Sequence, residues 1–170
     1  MKCAAVICVL SVLFASACAD AASRAARPLD VRSDGQNVVA CLSLDEGETV
    51  AIDAAGVSPI TVGGRTPAKP WGIVLGAGQR PHSLAPGDCL IYGGVPEGYT
   101  EFAPAIELES GWPYSFAIRS PEWGRFRTRN YSGVFCLRRT AAGILVANVP
   151  KGPAVITTDT CRQLLDAVAD

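Results

Sequence analysis

Four cysteines in the body of the chain carry the clearest chemical signal in the sequence: Cys41, Cys89, Cys136 and Cys161. No two of them have Cys-x-x-Cys spacing, and His82, the single histidine, is not at ligand spacing to any of them, which argues against a zinc site. An even number of cysteines in an exported chain is typical of disulfides. We therefore predict disulfides at these positions, and no metal or other cofactor.

Residues that could perform catalysis are few. His82 lies in a loop rich in glycine and proline, and no acid and nucleophile stand at a spacing that supports a catalytic triad. The chain lacks Gly-x-Ser-x-Gly and lacks a glycine-rich phosphate loop that ends in Lys-Ser or Lys-Thr. Carboxylates cluster at Glu97, Glu101, Glu107 and Glu109, but the last two equally fit the solvated face of a strand. We predict that the protein is not an enzyme.

Charge is distributed unevenly along a chain whose formal net charge is −1. Residues 95–111 are acidic, and residues 119–139 are basic. The segment 119–131, predicted as a loop between two strands, interleaves arginines with aromatic side chains, which is typical of protein-binding hot spots. The candidate partner-binding residues are Trp123, Arg125, Phe126, Arg127 and Arg129. The alternatives are that the aromatic side chains enter the core while the arginines are solvated, or that the acidic and basic segments pair with each other.

The N-terminal residues indicate export. Lys2 precedes an apolar run, Cys3 to Ala17, that is shorter than the ~20 residues needed to span a bilayer, and we interpret residues 1–17 as a signal peptide. The run ends in Ala-Ser-Ala-Cys, which resembles the lipobox of bacterial lipoproteins and makes Cys18 the candidate lipidation site. Ala19 after it resembles the signal for sorting to the outer membrane. Ordinary signal cleavage, which yields a soluble periplasmic or secreted protein, is the alternative.

The rest of the chain predicts one domain. Residues 18–29 lack hydrophobic periodicity and are interpreted as an anchor and flexible tether. Residues 30–170 have the length of a single domain. Short β-favouring runs between turn residues predict a mainly β fold, either a β-sandwich or a small barrel.

Alternation of apolar residues marks the individual strands. Residues 37–44 and 48–53 are predicted to form a hairpin, and further strands are predicted at 58–62, 71–75, 89–92, 105–108, 114–118, 131–137 and 143–149. Residues 160–168 predict a short C-terminal helix, because Thr160 and Gln163 resemble a capping box. On that helix Cys161, Leu164, Leu165 and Val168 share one face.

Four cysteines allow three connectivities. Cys41 lies in the first strong strand and Cys136 in a late one, so a bridge between two sheets of a sandwich would join them. This leaves Cys89 to pair with Cys161, which would attach the C-terminal helix to the β body.

Several strand patterns together resemble a known family. They are residues 37–44 with an early cysteine, residues 84–91 with a second, residues 112–118 (WPYSFAI) and residues 131–137 (YSGVFCL), all after a lipoprotein-type signal. In these features the chain resembles the type VI secretion immunity periplasmic lipoproteins of bacteria. The resemblance implies a small immunoglobulin-like β-sandwich that binds and blocks a toxin delivered into the periplasm by a neighbouring cell.

The sequence therefore predicts a lipid-anchored periplasmic immunity protein that acts on a protein toxin by direct binding. One alternative is an envelope binding module or hydrolase inhibitor that recognises a cell-wall or small-molecule ligand, and another is a structural lipoprotein of the envelope. A nucleic-acid partner is not expected, because the chain is exported and slightly acidic overall.

Overall fold

A computed structural model describes residues 26–122, 127–152 and 155–169, so the predicted signal peptide and Cys18 lie outside the described residues. In this part of the chain the elements are β1 (Arg27–Asp34), β2 (Asn37–Leu42), β3 (Val50–Ala51), β4 (Ala54–Pro59), β5 (Trp71–Leu75), β6 (Ser83–Leu84), β7 (Cys89–Ile91), β8 (Tyr99–Ala103), β9 (Pro113–Glu122), β10 (Arg127–Thr140), β11 (Gly143–Asn148) and α1 (Thr158–Ala167). The prediction of a mainly β fold with a short C-terminal helix is confirmed.

One curled sheet contains most of the strands. Their order is β7-β2-β1-β10-β9-β4-β5-β8, with β11 paired to β10, and β3 pairs separately with β6. Although β7 and β8 are at opposite ends of this order, Tyr92, which follows β7, packs edge-on against Trp71 of β5 with ring centroids 5.2 Å apart. The sheet therefore curls so that the strands near its two ends approach each other. The two halves of the curled sheet enclose one hydrophobic core, in a sandwich-like arrangement.

Alternation along the two longest strands places the large side chains inside. Tyr114, Phe116 and Ile118 of β9, with Tyr131 and Phe135 of β10, are all at most 1% exposed. Full burial of side chains of this size contributes about 1.5–3 kcal/mol each. The residues between them belong to the outer face of the sheet, and these positions form the surface described in the next subsection.

Strand β1 joins the two halves of the sheet. Arg27 and Pro28 pair in parallel with β10, and the rest of the strand pairs antiparallel with β2. Where β1 leaves β10, a Cβ on Gly133 would lie 2.7 Å from the Leu29 carbonyl oxygen and 2.8 Å from Val31 Cγ2. Only glycine fits at this position without movement of the backbone. Because β1 begins at Arg27, the folded part also begins earlier than predicted, within the expected tether.

Some local predictions are wrong. The predicted hairpin between residues 37–44 and 48–53 does not form, because β2 pairs with β1 and β7; alternation marks a strand without choosing its partner. Residues 105–108 are not a strand, since β8 ends before Pro104, which has no N–H to donate to a ladder. Most of the loop predicted at 119–131 is strand, because β9 continues to Glu122 and β10 begins at Arg127.

Helix α1 begins earlier than predicted. Its N-cap is Thr157, and a capping box joins the backbone N–H of Thr160 to Thr157 Oγ1 at 3.2 Å and the backbone N–H of Thr157 to Thr160 Oγ1 at 3.3 Å. Cys161 and Leu165 are buried, as the predicted face requires. Val168 follows the helix and is 50% exposed, so its assignment to the buried face is wrong.

The disulfides join Cys41 to Cys89 and Cys136 to Cys161. The presence of two disulfides is confirmed, but the predicted pairing of Cys41 with Cys136 and of Cys89 with Cys161 is wrong. On either side of Cys41 and of Cys136, the neighbouring residues belong to the core, so both cysteines lie on outer faces and cannot bridge the core. Cys89 lies directly opposite Cys41 in the β2–β7 pair, and Cys136 packs against α1.

The two disulfides should differ in their reactivity toward a reductant. Cys136 and Cys161 are fully buried, whereas Cys89 is partly exposed on β7, at an end of the sheet. Because thiol–disulfide exchange requires access to a sulfur atom, we expect a mild thiol reductant to open Cys41–Cys89 first. Alkylation at successive times, followed by mass spectrometry of the peptides, measures the order. Simultaneous opening of both bonds in the folded protein would contradict this expectation.

Replacement of Gly133 with alanine should destabilise the domain. The added methyl group would meet the backbone of β1, and we expect a loss of about 1–3 kcal/mol in the free energy of unfolding. Gly47→Ala is the matched control, because nothing lies within 4 Å of a Cβ at that position, and a change within about 0.5 kcal/mol is expected. Denaturant unfolding measures both variants, and equal effects would refute the close approach of β1.

Candidate partner-binding surface

A trough crosses the outer face of the sheet where the side chains are smallest. Ser132, Ala117, Gly56 and Gly72 stand in register on the adjacent strands β10, β9, β4 and β5. Because these residues have small side chains or none, the surface is lower here than where longer side chains cover a sheet. Ser132, Ala117 and Gly56 line a cavity of about 400 Å³, which we call the trough, whereas Gly72 is buried beneath the Phe102 ring at its end.

Phe102 of β8 lies at one end of the trough. A Cβ on Gly72 would come within 2.1 Å of Phe102 Cζ, so the glycine is what allows the ring to approach the sheet. The Phe102 side chain is nevertheless 66% exposed. A large apolar side chain exposed beside an apolar concavity is typical of a binding surface.

Arg119 supplies the charge at this surface. It lies opposite Asn130 of β10 and Ala54 of β4, and its Nε donates a hydrogen bond to Asp53 Oδ1 at 2.8 Å. The Arg119 side chain is 51% exposed. Among the described residues that line the trough, Arg119 alone is charged. The trough therefore offers apolar contact area next to one positioned cation.

The β9–β10 hairpin projects beyond its neighbours beside the trough. The pairing of β9 with β4 stops at Arg119 and Ala54, and the pairing of β10 with β1 starts at Tyr131. Beyond these positions residues 120–122 pair with residues 127–129, and within the described chain neither segment pairs with another strand. We call these two segments the arm. Because Arg119 and Asn130 line the trough, the arm rises directly from its side.

The structure covers part of the segment that the sequence indicates as a partner-binding site. Trp123, Arg125 and Phe126 lie outside the described residues. Arg127 belongs to β10 by its backbone, and its side chain is also outside the description. The contact of these four residues with a partner stays a prediction.

A buried ion network holds the base of the arm. Glu46 is 7% exposed and accepts hydrogen bonds from Arg27, from Arg129 Nη1 at 3.3 Å and from Tyr131 Oη at 3.0 Å. Arg129 also donates to Glu48 and thereby lowers the pKa of that carboxyl, whereas burial raises the pKa of Tyr131. Arg129 thus ties the β2–β3 connection to β10, and its predicted contact with a partner stays a prediction.

Other arginines of the basic segment also have partners within the protein. Arg138 Nη1 lies 2.8 Å from Asp166 Oδ1 of α1, and Arg139 Nε lies 2.9 Å from Glu107 Oε1. The alternative that the acidic and basic segments pair with each other therefore holds for Arg139 and Glu107. The remaining described arginines of the segment pair with acidic residues from elsewhere in the chain.

The clustered glutamates and His82 do not come together in one site. Glu101 accepts a hydrogen bond from Trp71 Nε1 at 3.0 Å, and Glu109 accepts one from Arg65 Nη2 at 3.2 Å. His82 is exposed. Within the described residues, no three His, Cys, Asp or Glu side chains are grouped so that they could hold a metal ion. The same part of the chain contains no helix with the length and apolar character needed to cross a membrane.

No protein-family model matches the chain, and neither the curated proteins nor the solved structures contain a match to it. The resemblance to immunity lipoproteins therefore stays a prediction from the strand and cysteine patterns.

Sequence reasoning missed two parts of this surface. Gly72, inside a strand run, was a usable signal, because glycine within a strand marks a bulge or a close approach. The burial of Glu46 had no such signal, since glutamate in a turn is ordinarily solvated. Its role depends on Arg27 and Arg129, which are distant in sequence and meet only in the folded chain.

Removal of the Glu46 charge should cost more stability than removal of the Glu48 charge. Glu46→Gln leaves Arg129 and Tyr131 facing a neutral amide in a buried position, and we expect a loss of about 2 kcal/mol in the free energy of unfolding. Glu48→Gln is the matched control, because it affects the same arginine at a carboxylate that is 59% exposed, where solvent screening makes the expected loss smaller. Denaturant unfolding distinguishes the two, and equal losses would contradict the buried network.

Proposed function

We propose that this chain is an exported, disulfide-stabilised binding protein that blocks a protein partner by direct, stoichiometric contact. The observation that carries the proposal is the trough at the base of the arm. It combines an exposed aromatic side chain, a floor of small residues and one positioned cation, which together are suited to receive part of another protein.

The shape of the surface favours a protein over a small molecule. Ala117, Arg119 and Phe102 are all exposed, so the trough is open to solvent. Sites for small molecules usually enclose most of the ligand surface. The volume of about 400 Å³ falls in the range of such sites, and for this reason a cell-wall fragment or another small envelope ligand is the second candidate.

We further propose that the partner is a toxin delivered to the periplasm and that the chain is an immunity lipoprotein anchored through Cys18. Two disulfides support an oxidising compartment, and the apolar N-terminal run supports export. The lipobox-like cysteine supports an anchor at the outer membrane. The strand and cysteine patterns that resemble immunity lipoproteins support the role itself.

The proposal is tested with the product of the gene beside the one that encodes this chain. That product, exported to the periplasm of a host cell, should arrest growth, and co-export of the full chain should restore it. The purified proteins should form a one-to-one complex, measured by calorimetry. Failure of the chain to bind this product and to protect the cell would reject the immunity role, and protection without a complex would reject direct blockade.

Variants of the chain locate the contact. Phe102→Ala should weaken the complex by about 2 kcal/mol, a hot-spot magnitude, because it removes the exposed ring at the trough. The double variant Trp123→Ala and Arg127→Ala tests the sequence-predicted anchors and should weaken the complex by a similar amount per residue. Ser33→Ala, an exposed position on β1, is the control that should leave binding unchanged. Unchanged binding in folded variants of both kinds would place the contact elsewhere.

A further inference from the structure

We infer that the trough receives an extended acidic segment of the partner, with an apolar side chain over Gly56 and Ala117 beside Phe102 and a carboxylate at Arg119. This inference rests on the proposed function, because it names the part of a protein partner that the site would bind.

The floor of the trough favours a ligand whose backbone can approach the sheet closely. Gly56 of β4 and Ala117 of β9 lie opposite each other in the floor, and the Phe102 ring covers Gly72, the next residue of the row. An idealised Cβ on Gly56 would lie 2.7 Å from the Trp71 carbonyl oxygen, so this part of the floor has no space for a side chain of its own. A segment that lies on it can therefore approach the sheet closely with its backbone and place an apolar side chain beside the exposed ring of Phe102.

The Arg119 guanidinium favours an acidic ligand. Arg119 is the only charged residue among the described residues of the lining, and its contact with Asp53 at Nε positions the guanidinium while half of the side chain remains exposed. A guanidinium has five N–H donors in a fixed plane, so one carboxylate at Nε leaves donors for a second. An acidic group of the partner can accept hydrogen bonds from these remaining donors, which a basic group cannot do.

The adjoining arm adds to this preference. By sequence, the β9–β10 hairpin between residues 119 and 129 carries Arg119, Arg125, Arg127 and Arg129 against Glu122. Asp53 compensates the charge of Arg119, and Glu46 and Glu48 compensate that of Arg129, so the charge that attracts an acidic segment at long range comes from Arg125 and Arg127. Charge complementarity therefore points to an acidic occupant and not to a basic one.

Selection from a random peptide library tests the inference and does not require the partner to be identified. The mature chain, residues 19–170, is immobilised, and phage-displayed peptides are selected on it. We expect enriched sequences that combine Asp or Glu with a large apolar residue. Enrichment of basic or uncharged sequences, or no enrichment over an unrelated immobilised protein, would overturn the inference.

Matched variants assign the binding to the trough. Ala117→Phe fills the floor from an exposed position and should weaken binding of the selected peptides at least about tenfold, the scale of a hot-spot contact. Arg119→Gln should weaken binding about tenfold and reduce its dependence on ionic strength, because one screened charge pair is lost. Ser33→Phe adds the same ring at an exposed position of β1 and should have no effect. Equal binding by Ala117→Phe and Ser33→Phe, each with an unchanged unfolding midpoint, would overturn the inference.

The same variants separate this inference from the proposed function. If the neighbouring gene's product binds the chain and Ala117→Phe leaves that complex unchanged, the trough is not the partner site although the function stands. If acidic peptides bind the trough but the gene product does not bind, the inference about the trough's ligand chemistry stands and the immunity role falls. A dimer of the wild-type chain in sedimentation that Ala117→Phe dissociates would identify a second copy as the occupant and would overturn the inference.

Discussion

At Gly133 the main chain of β1 lies so close to β10 that a Cβ would be 2.7 Å from the Leu29 carbonyl oxygen. This contact lets one strand belong to both halves of the sheet, since β1 pairs with β10 only as far as Ser132 and then turns to β2. Further along β10, β11 pairs with the edge that β1 has left. There Asn148 Oδ1 accepts a hydrogen bond from the backbone N–H of Val31 at 3.0 Å, and Asn148 Nδ2 donates one to the Val31 carbonyl oxygen at 2.9 Å. The Asn148 side chain thus makes the hydrogen bonds that strand pairing does not provide between β1 and β11.

The central strands carry large side chains on their inner face and small ones on their outer face. Large aromatic residues on the inner face of β9 and β10 fill the space between the two halves of the sheet. On the outer face the residues in register are small, so these central strands present a depression instead of a cover of long side chains. At its end, Gly72 has no side chain, and this leaves room for the Phe102 ring of β8 to lie against the sheet. The core and the proposed binding surface thus lie on opposite faces of the same strands.

Electrostatic contacts connect segments that the sheet alone would leave loose. Arg129 joins the β2–β3 connection to β10 through Glu46, and Arg138 joins α1 to β10 through Asp166. The basic segment that composition singles out is therefore in large part a set of internal contacts. The segment that the sequence indicates adjoins the trough, but the side of a strand on which each arginine lies, and the acid it meets, depend on pairings between residues far apart in the chain.

Alternation and turn residues were sufficient to determine a mainly β chain with a C-terminal helix, and an even set of cysteines was sufficient to determine disulfides, because these features depend on local periodicity and on residue chemistry. The partner of β2, the pairing of Cys41 with Cys89 and the burial of Glu46 were decided only by the tertiary structure. An alternating strand can pair with any other strand of suitable length, and the curl of the sheet determines which faces meet. The trough has the same origin: Ser132, Ala117 and Gly56 are ordinary residues in the sequence and form a surface only because strand register places them side by side.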